Sequence, residues 1–205
     1  MEPLPALLRR RLTGPLPGRE AQLRLAPQPR LWPGPDDLLR PAAALLLVYP
    51  HEHEWWVPLT VRGPDLRQHG GQVSLPGGRL DHPGESIEEA ALREANEEIG
   101  VDGSRVEILG RLTPLPIAIS GHLLSAVVGA AEQRPSFALA AAEVERLIEV
   151  PVARLREPDA VAWEERVRAR PPNDLMRVPY FEFEGARVWG ATAMVLAEFI
   201  ALLSP

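Results

Sequence analysis

The apolar positions of the chain change period several times, and each change marks an element. Ala42 to Val48 is an unbroken apolar run set between Pro41 and Pro50, the pattern of a buried central strand. Trp55 to Arg62 (WWVPLTVR) predicts a second strand, closed by the turn residues Gly63, Pro64 and Asp65. Ser86 to Ile99 then switches to a helical period. Ser86 and Glu89 have capping-box spacing at its start, and Gly100 supplies the stop. Beyond it, Val106–Leu112, His122–Val128, Val161–Val167 and Val178–Phe183 predict strands, with Glu184-Gly185 as a hairpin turn before Val188-Trp189. The end, ATAMVLAEFIALL, predicts an apolar helix packed on a sheet. Residues 3–12 predict a short helix, and the Pro-, Gly- and Arg-rich stretch 13–41 an irregular arm. Strands, hairpins and helices interleave, so the expected class is α/β, with a mixed central sheet covered on both sides.

Composition alters this picture in three ways. The chain has 205 residues, 45% of them hydrophobic, enough for one sizeable core, so residues 1–205 are expected to form a single domain with the arm, 1–41, inside it. A net charge of -6 argues against a nucleic-acid backbone as partner. With no cysteine there are no disulfides and no thiolate metal sites, which fits a reducing cytoplasm. The longest apolar run falls far short of the roughly 20 residues of a membrane span, and the first residues do not read as a signal peptide. The expectation is a cytoplasmic protein with no membrane partner.

The predicted helix carries an anomaly. With Ile87 at 0° and about 100° per residue, Ile87, Ala91, Ala95 and Ile99 drift from about 0° to about 120° along the burying face. Glu98 falls near 20° on that wheel, Glu94 near 340° and Glu97 near 280°, as estimates on the same spacing. Glu98 thus lies on the burying side with two like charges beside it. Such charges repel at i,i+3 and i,i+4, and a carboxylate at a core edge loses solvation. Arg93 answers part of that charge. A hard divalent cation answers the rest, because Mg²⁺ takes oxygen ligands from a few carboxylates and a substrate phosphate. Just upstream, Gly77 and Gly78 permit close backbone approach, so that a peptide carbonyl can join such a shell.

From Glu85 to Val101 the sequence resembles the Nudix box, G-x5-E-x7-R-E-U-x-E-E-x-G-U. Seven residues separate Glu85 from Arg93-Glu94-Ala95-Asn96-Glu97-Glu98-Ile99-Gly100-Val101. The departure is upstream, where Gly78 precedes Glu85 by six residues and Arg79 stands at the spaced glycine. LTVRGPDLRQHGGQVSLPGG, residues 59–78, is similar to the segment before the box in coenzyme A pyrophosphatase-like Nudix proteins, with Gly63 for a serine and Leu75 for a phenylalanine. The likeness extends to the arm, to 143–152 and to 178–199, and is weakest over 112–122 (LTPLPIAISGH), a segment expected to border the substrate.

The resemblance implies a Nudix-type α/β/α sandwich and a metal-dependent hydrolase. It would use Mg²⁺ or Mn²⁺ to cleave the diphosphate of coenzyme A or its derivatives, giving 3′,5′-ADP and 4′-phosphopantetheine. It implies Glu94, Glu97 and Glu98 as metal ligands with the Gly78 carbonyl, and Arg93 as the residue that orients them. Glu94, or Glu143 or Glu145 from a later loop, would be the base. Arg62 and Arg67 are expected to hold phosphate beside Gly77 and Gly78, since a guanidinium matches it bidentately. ADP-ribose, other dinucleotides and nucleoside triphosphates are the alternative substrates. A nucleotide-binding module without catalysis is a further alternative, disfavoured because the box keeps its carboxylates. Relatives of this kind often pair, which makes a homodimer an expectation.

Overall fold

The computed structural model of the protein describes residues 2–34, 36–63, 71–168 and 174–204. In chain order the helices are α1 (Leu4–Leu12), α2 (Gly18–Leu23), α3 (Ile87–Ile99) and α4 (Gly190–Leu202). The strands are β1 (Arg40–His51), β2 (Glu54–Arg62), β3 (Val73–Ser74), β4 (Gly77–Arg79), β5 (Val106–Arg111), β6 (Leu115–Ile117), β7 (His122–Ala131), β8 (Val144–Pro151), β9 (Val161–Val167), β10 (Leu175–Phe183) and β11 (Ala186–Trp189).

The apolar run of β1 is buried because it is the middle of the sheet. It runs parallel to β7 from Arg40 opposite His122 to Val48 opposite Ala130. Near its start it also pairs antiparallel with β4, with Ala43 opposite Gly78, and at its far end it turns into the β2 hairpin. β2 in turn carries β8 and β3, β7 carries β5 and β6, and β9 to β11 form a separate antiparallel sheet. Strand alternation sends β1 side chains to two cores. Ala43, Leu45, Leu47 and Tyr49 meet α3 through Ala90, Ala91, Ala95 and Ile99. Ala44, Leu46 and Val48 belong to the other core, which also holds Ala193, Met194, Leu196 and Phe199 of α4. A mixed sheet with a helix on each face is the class expected from the sequence.

α3 keeps its predicted ends. Ser86 accepts from the Glu89 N–H while Glu89 accepts from the Ser86 N–H, and Gly100 closes the helix at φ 71°. Three of its five buried residues are alanines, which lets it lie close to β1. The arm is less irregular than expected: α2 forms within it, and Ala21, Leu25 and Ala26 join the α4-side core with Leu8 of α1. β8 and the short strands β3, β4 and β6 were not predicted. β3, β4 and β6 have two or three residues, too few to show a period, and exist only because β1, β2 and β7 offer them edges.

Two polar clusters lock the layers. The Tyr49 hydroxyl donates to Glu149 of β8, which also takes a two-pronged bond from Arg134 at 2.8 and 2.6 Å. Burial and this carboxylate push the Tyr49 phenol up. On the other side of the sheet, Glu198 of α4 is fully buried and accepts from the N–H of Gly18 (3.1 Å), the N–H of Thr113 (3.1 Å) and the side-chain amide of Gln22 (2.8 Å). It ties α2, α4 and the β5–β6 connection into one unit. Glu198→Ala would strand these donors in the interior, so the expected loss is about 3 kcal/mol or more, read from urea denaturation midpoints.

Candidate active site

β4 and α3 face each other across a loop, and the glycines decide how closely. A Cβ on Gly77 would stand 2.4 Å from the Ala43 carbonyl oxygen and 2.7 Å from the Ala44 Cα, both backbone atoms of β1. A Cβ on Gly78 would meet the Glu94 carboxylate at 2.3 Å. Gly77 thus lets β4 lie on β1, and Gly78 lets a carboxylate of α3 lie on β4.

Arg93 gathers the acidic groups around that contact. Its Nε donates to Glu85 at 2.7 Å, and one Nη donates to Glu94 at 2.9 Å and to Glu97 at 3.0 Å. The other Nη donates to the Arg79 carbonyl at 2.9 Å and to Glu85 at 3.2 Å. Asp81 lies 3.4 Å from Nε. The Glu85 hydrogen bonds raise the Arg93 pKa further, and the guanidinium, helped by the Asp81 N–H, holds the Glu85 carboxyl below the usual range. The extra residue between Gly78 and Glu85 is therefore absorbed in the loop: Glu85 still reaches Arg93, and its second oxygen accepts from the Asp81 N–H at 2.7 Å. Arg93 thus bonds three glutamates, two on its own helix and one on the loop before it.

Glu98 lies apart from that network. Its side chain is 3% exposed, against 15% for Glu94 and 56% for Glu97, in the rank order of the helical wheel. It faces Arg62 at 3.4 Å and accepts from the Gly77 N–H at 3.3 Å. Burial pushes its carboxyl up to about 7, against the pull of Arg62 and Gly77, with the charges of Glu94 and Glu143 adding to the rise. Burial raises Glu94 as well. Arg62, expected on phosphate, thus stands opposite Glu98; Arg67 lies outside the described residues.

The C-terminal end of α3 is held by a later loop. Ala138 and Ala140 donate their N–H groups to the carbonyls of Ile99 and Glu98, both at 3.0 Å. The Gly63 N–H donates to the Glu143 carbonyl at 2.9 Å, so Glu143 sits on the connection that closes over this end, and its charge is felt at Glu98. Glu145 follows on β8, exposed, at the irregularity where β8 meets Val61 and Arg62. The loop's part was not legible in sequence, because its bonds to α3 are made by backbone groups.

The donor set suits a hard dication. Three carboxylates project from one helix, two of them in surroundings that disfavour their charge, beside a backbone stretch with no Cβ. Among the described residues no three acidic or imidazole groups close on one point, since Arg93 draws Glu94 and Glu97 one way and Arg62 faces Glu98. His51 and His53, at the β1–β2 turn, join no such group either.

A mixed sheet between two helices, with this carboxylate helix against a paired glycine, defines a Nudix domain. A sequence model of the NUDIX domain matches residues 38–171, more than half of the chain, and the protein belongs to that family. It is a hydrolase of pyrophosphate bonds, from a family that works with divalent metal ions. It is similar to a protein of Pectobacterium atrosepticum named "Uncharacterized Nudix hydrolase NudL", with 34% identity over 183 residues, covering 89% of this chain and 91% of the relative. A protein of the same name from Photorhabdus laumondii is 33% identical over 175 residues, with 85% and 89% covered. Among solved structures, a MutT/nudix family protein from Enterococcus faecalis superposes with a TM-score of 0.51 at 15% identity, covering 85% of this chain and 65% of that one; the likeness is one of fold. Among the described residues no helix is long and apolar enough to cross a membrane.

The two glycines are expected to fail differently. Gly77→Ala drives a methyl into backbone and should cost about 1–3 kcal/mol of stability. In Gly78→Ala the obstacle is the far end of a flexible side chain, so denaturation should shift by less than about 1 kcal/mol, while hydrolysis falls because Glu94 is displaced. Denaturant midpoints and turnover of both variants check this.

Proposed function

We propose that the protein is a diphosphatase for coenzyme A or its derivatives, dependent on Mg²⁺ or Mn²⁺, releasing 3′,5′-ADP and 4′-phosphopantetheine or its acyl form. The observation that carries the substrate is the segment Leu59 to Gly78, which is similar to the coenzyme A pyrophosphatase-like pattern and runs directly into the glycine contact with Glu94. Its first part is the end of β2, which closes on Arg62 facing Glu98.

In this reading Glu94, Glu97 and Glu98 hold the metal with the Gly78 carbonyl. A cation held there would supply charge neutralisation for the diphosphate and would make water a usable nucleophile near neutral pH. Arg93 positions the carboxylates by fixing Glu94 and Glu97 to the loop that carries Glu85. Water attacks one phosphorus of the P–O–P bridge, the bridging bond breaks, and the proton of the water passes to a carboxylate. Glu94 is one candidate base. Of the two later ones, Glu143 is favoured over Glu145, because its charge is felt at Glu98. Arg62 and Arg67 serve phosphate oxygens, with Gly77 and Gly78 allowing the ligand close to the backbone. Residues 1–205 act as one Nudix domain, supported by the burial of α1 and α2 residues in the α4-side core. A cytoplasmic location and a homodimer belong to the same proposal.

A substrate panel with product masses tests this. Coenzyme A should give the highest kcat/KM with Mg²⁺ or Mn²⁺, and activity should vanish with a chelator. Equal or better efficiency with ADP-ribose or a nucleoside triphosphate would move the substrate to that class. Glu97→Gln and Glu98→Gln should each lower turnover by about a hundredfold or more with the fold retained. Full activity in both would remove the metal assignment, and binding without hydrolysis in the native chain would make it a nucleotide-binding module.

A further inference from the structure

On the α4 face of the sheet, away from α3, the arm and the β5–β6 connection enclose an open cleft of about 420 Å³. Its lining includes Arg19, Gln22, Trp32, Thr113 and Pro116. The cleft is built on fixed parts. Gln22 is buried and donates its amide both to the Thr113 carbonyl (2.7 Å) and to Glu198 (2.8 Å), while Glu198 also receives the Thr113 N–H. That single buried carboxylate behind the wall is engaged by three N–H donors.

Arg19 lines the cleft, and Arg30 stands beside its lining, against the Trp32 ring and the Pro116 carbonyl. The guanidinium carbon of Arg19 stands 3.9 Å from the Trp32 ring centroid, and that of Arg30 stands 4.6 Å from it. Among the described residues neither makes an ion pair. Arg30 spends its Nη groups on neutral partners, the Pro116 carbonyl (2.7 Å) and the Met194 sulfur (2.8 Å), and its buried Nε has no hydrogen-bond partner among the described residues. Burial and the neighbouring Arg19 charge lower the Arg30 pKa. Asp37, further along the arm, takes the Gly34 N–H at 2.7 Å. Laid on the indole by its face, the Arg19 guanidinium leaves its in-plane N–H groups for a planar or tetrahedral oxyanion, while Arg30 adds the N–H bonds that its two neutral partners do not use. Holding two like charges beside one ring is unfavourable, and an anion in the cleft would offset their repulsion. The volume exceeds that of a bare oxyanion and falls within the range of small-ligand pockets.

We propose that this cleft is a second anion site, separate from the carboxylates of α3, that takes a phosphate monoester through Arg19 and Arg30 over Trp32. The phosphate can come free or on a nucleotide, and the two sources are separable. The full chain would be titrated calorimetrically in EDTA, so that no turnover occurs, with inorganic phosphate and with adenosine 3′-monophosphate. One saturable site is expected for at least one of them. Arg19→Met and Arg30→Met should each weaken it by about tenfold or more, the loss of one charge-assisted bond. Arg24→Met, which removes an exposed arginine paired with Glu20, should leave it within about twofold. Glu97→Gln should leave it unchanged, which keeps this result apart from the hydrolytic reading. Tighter binding of the nucleotide assigns the site to a nucleotide end, and equal binding assigns it to free phosphate. No saturable binding of either probe, or unchanged affinity in Arg19→Met, overturns the proposal. Arg19 is exposed, so that variant stays informative even where Arg30→Met fails to fold.

Discussion

The ion network around Arg93 is the constraint on which the site depends. One guanidinium binds Glu85, Glu94, Glu97 and the Arg79 carbonyl, and so fastens the loop after β4 to the middle of α3. Three close glutamates weaken a helix, because the charges repel. With Arg93 among them and Arg62 opposite the most buried one, the charges become a reason for loop and helix to stay together. An Arg matches several carboxylates because its donors are fixed in a fork, which a Lys could not reproduce.

The second support is steric. Gly77 and Gly78 do different work side by side: the first lets β4 pack on β1, the second leaves room for the Glu94 carboxylate. Behind them, the alanine face of α3 brings the helix near β1, and the backbone of residues 138–140 holds its C-terminal carbonyls. Glu98 is buried as a consequence. A carboxylate pressed into low polarity with one partly aligned arginine has its charge poorly compensated, which raises its pKa.

The opposite face of the sheet is organised by another buried carboxylate with a different solution. Glu198 satisfies its oxygens with backbone and amide N–H groups, with no cation among them. It therefore serves as a structural pin for the arm, and the arginines near it are left for other work. The arm is rich in proline and arginine, and composition alone suggested an irregular wrap. In the fold its apolar residues enter the α4-side core, and two of its arginines, Arg19 and Arg30, meet at Trp32.

The sequence by itself determined the features whose causes are local. The caps of α3 follow from Ser86, Glu89 and Gly100, the burial order of Glu98, Glu94 and Glu97 from helical geometry, and the central place of β1 from an apolar run with no polar face. Tertiary structure alone decided the rest. β3, β4 and β6 are too short to carry a period and form only on edges that other strands present. Arg62 meets Glu98 across 36 residues of sequence, and Glu143 is brought near by backbone bonds that any residue type could make. Those contacts depend on which chain segments are adjacent in space, and side-chain pattern along one segment carries no record of that.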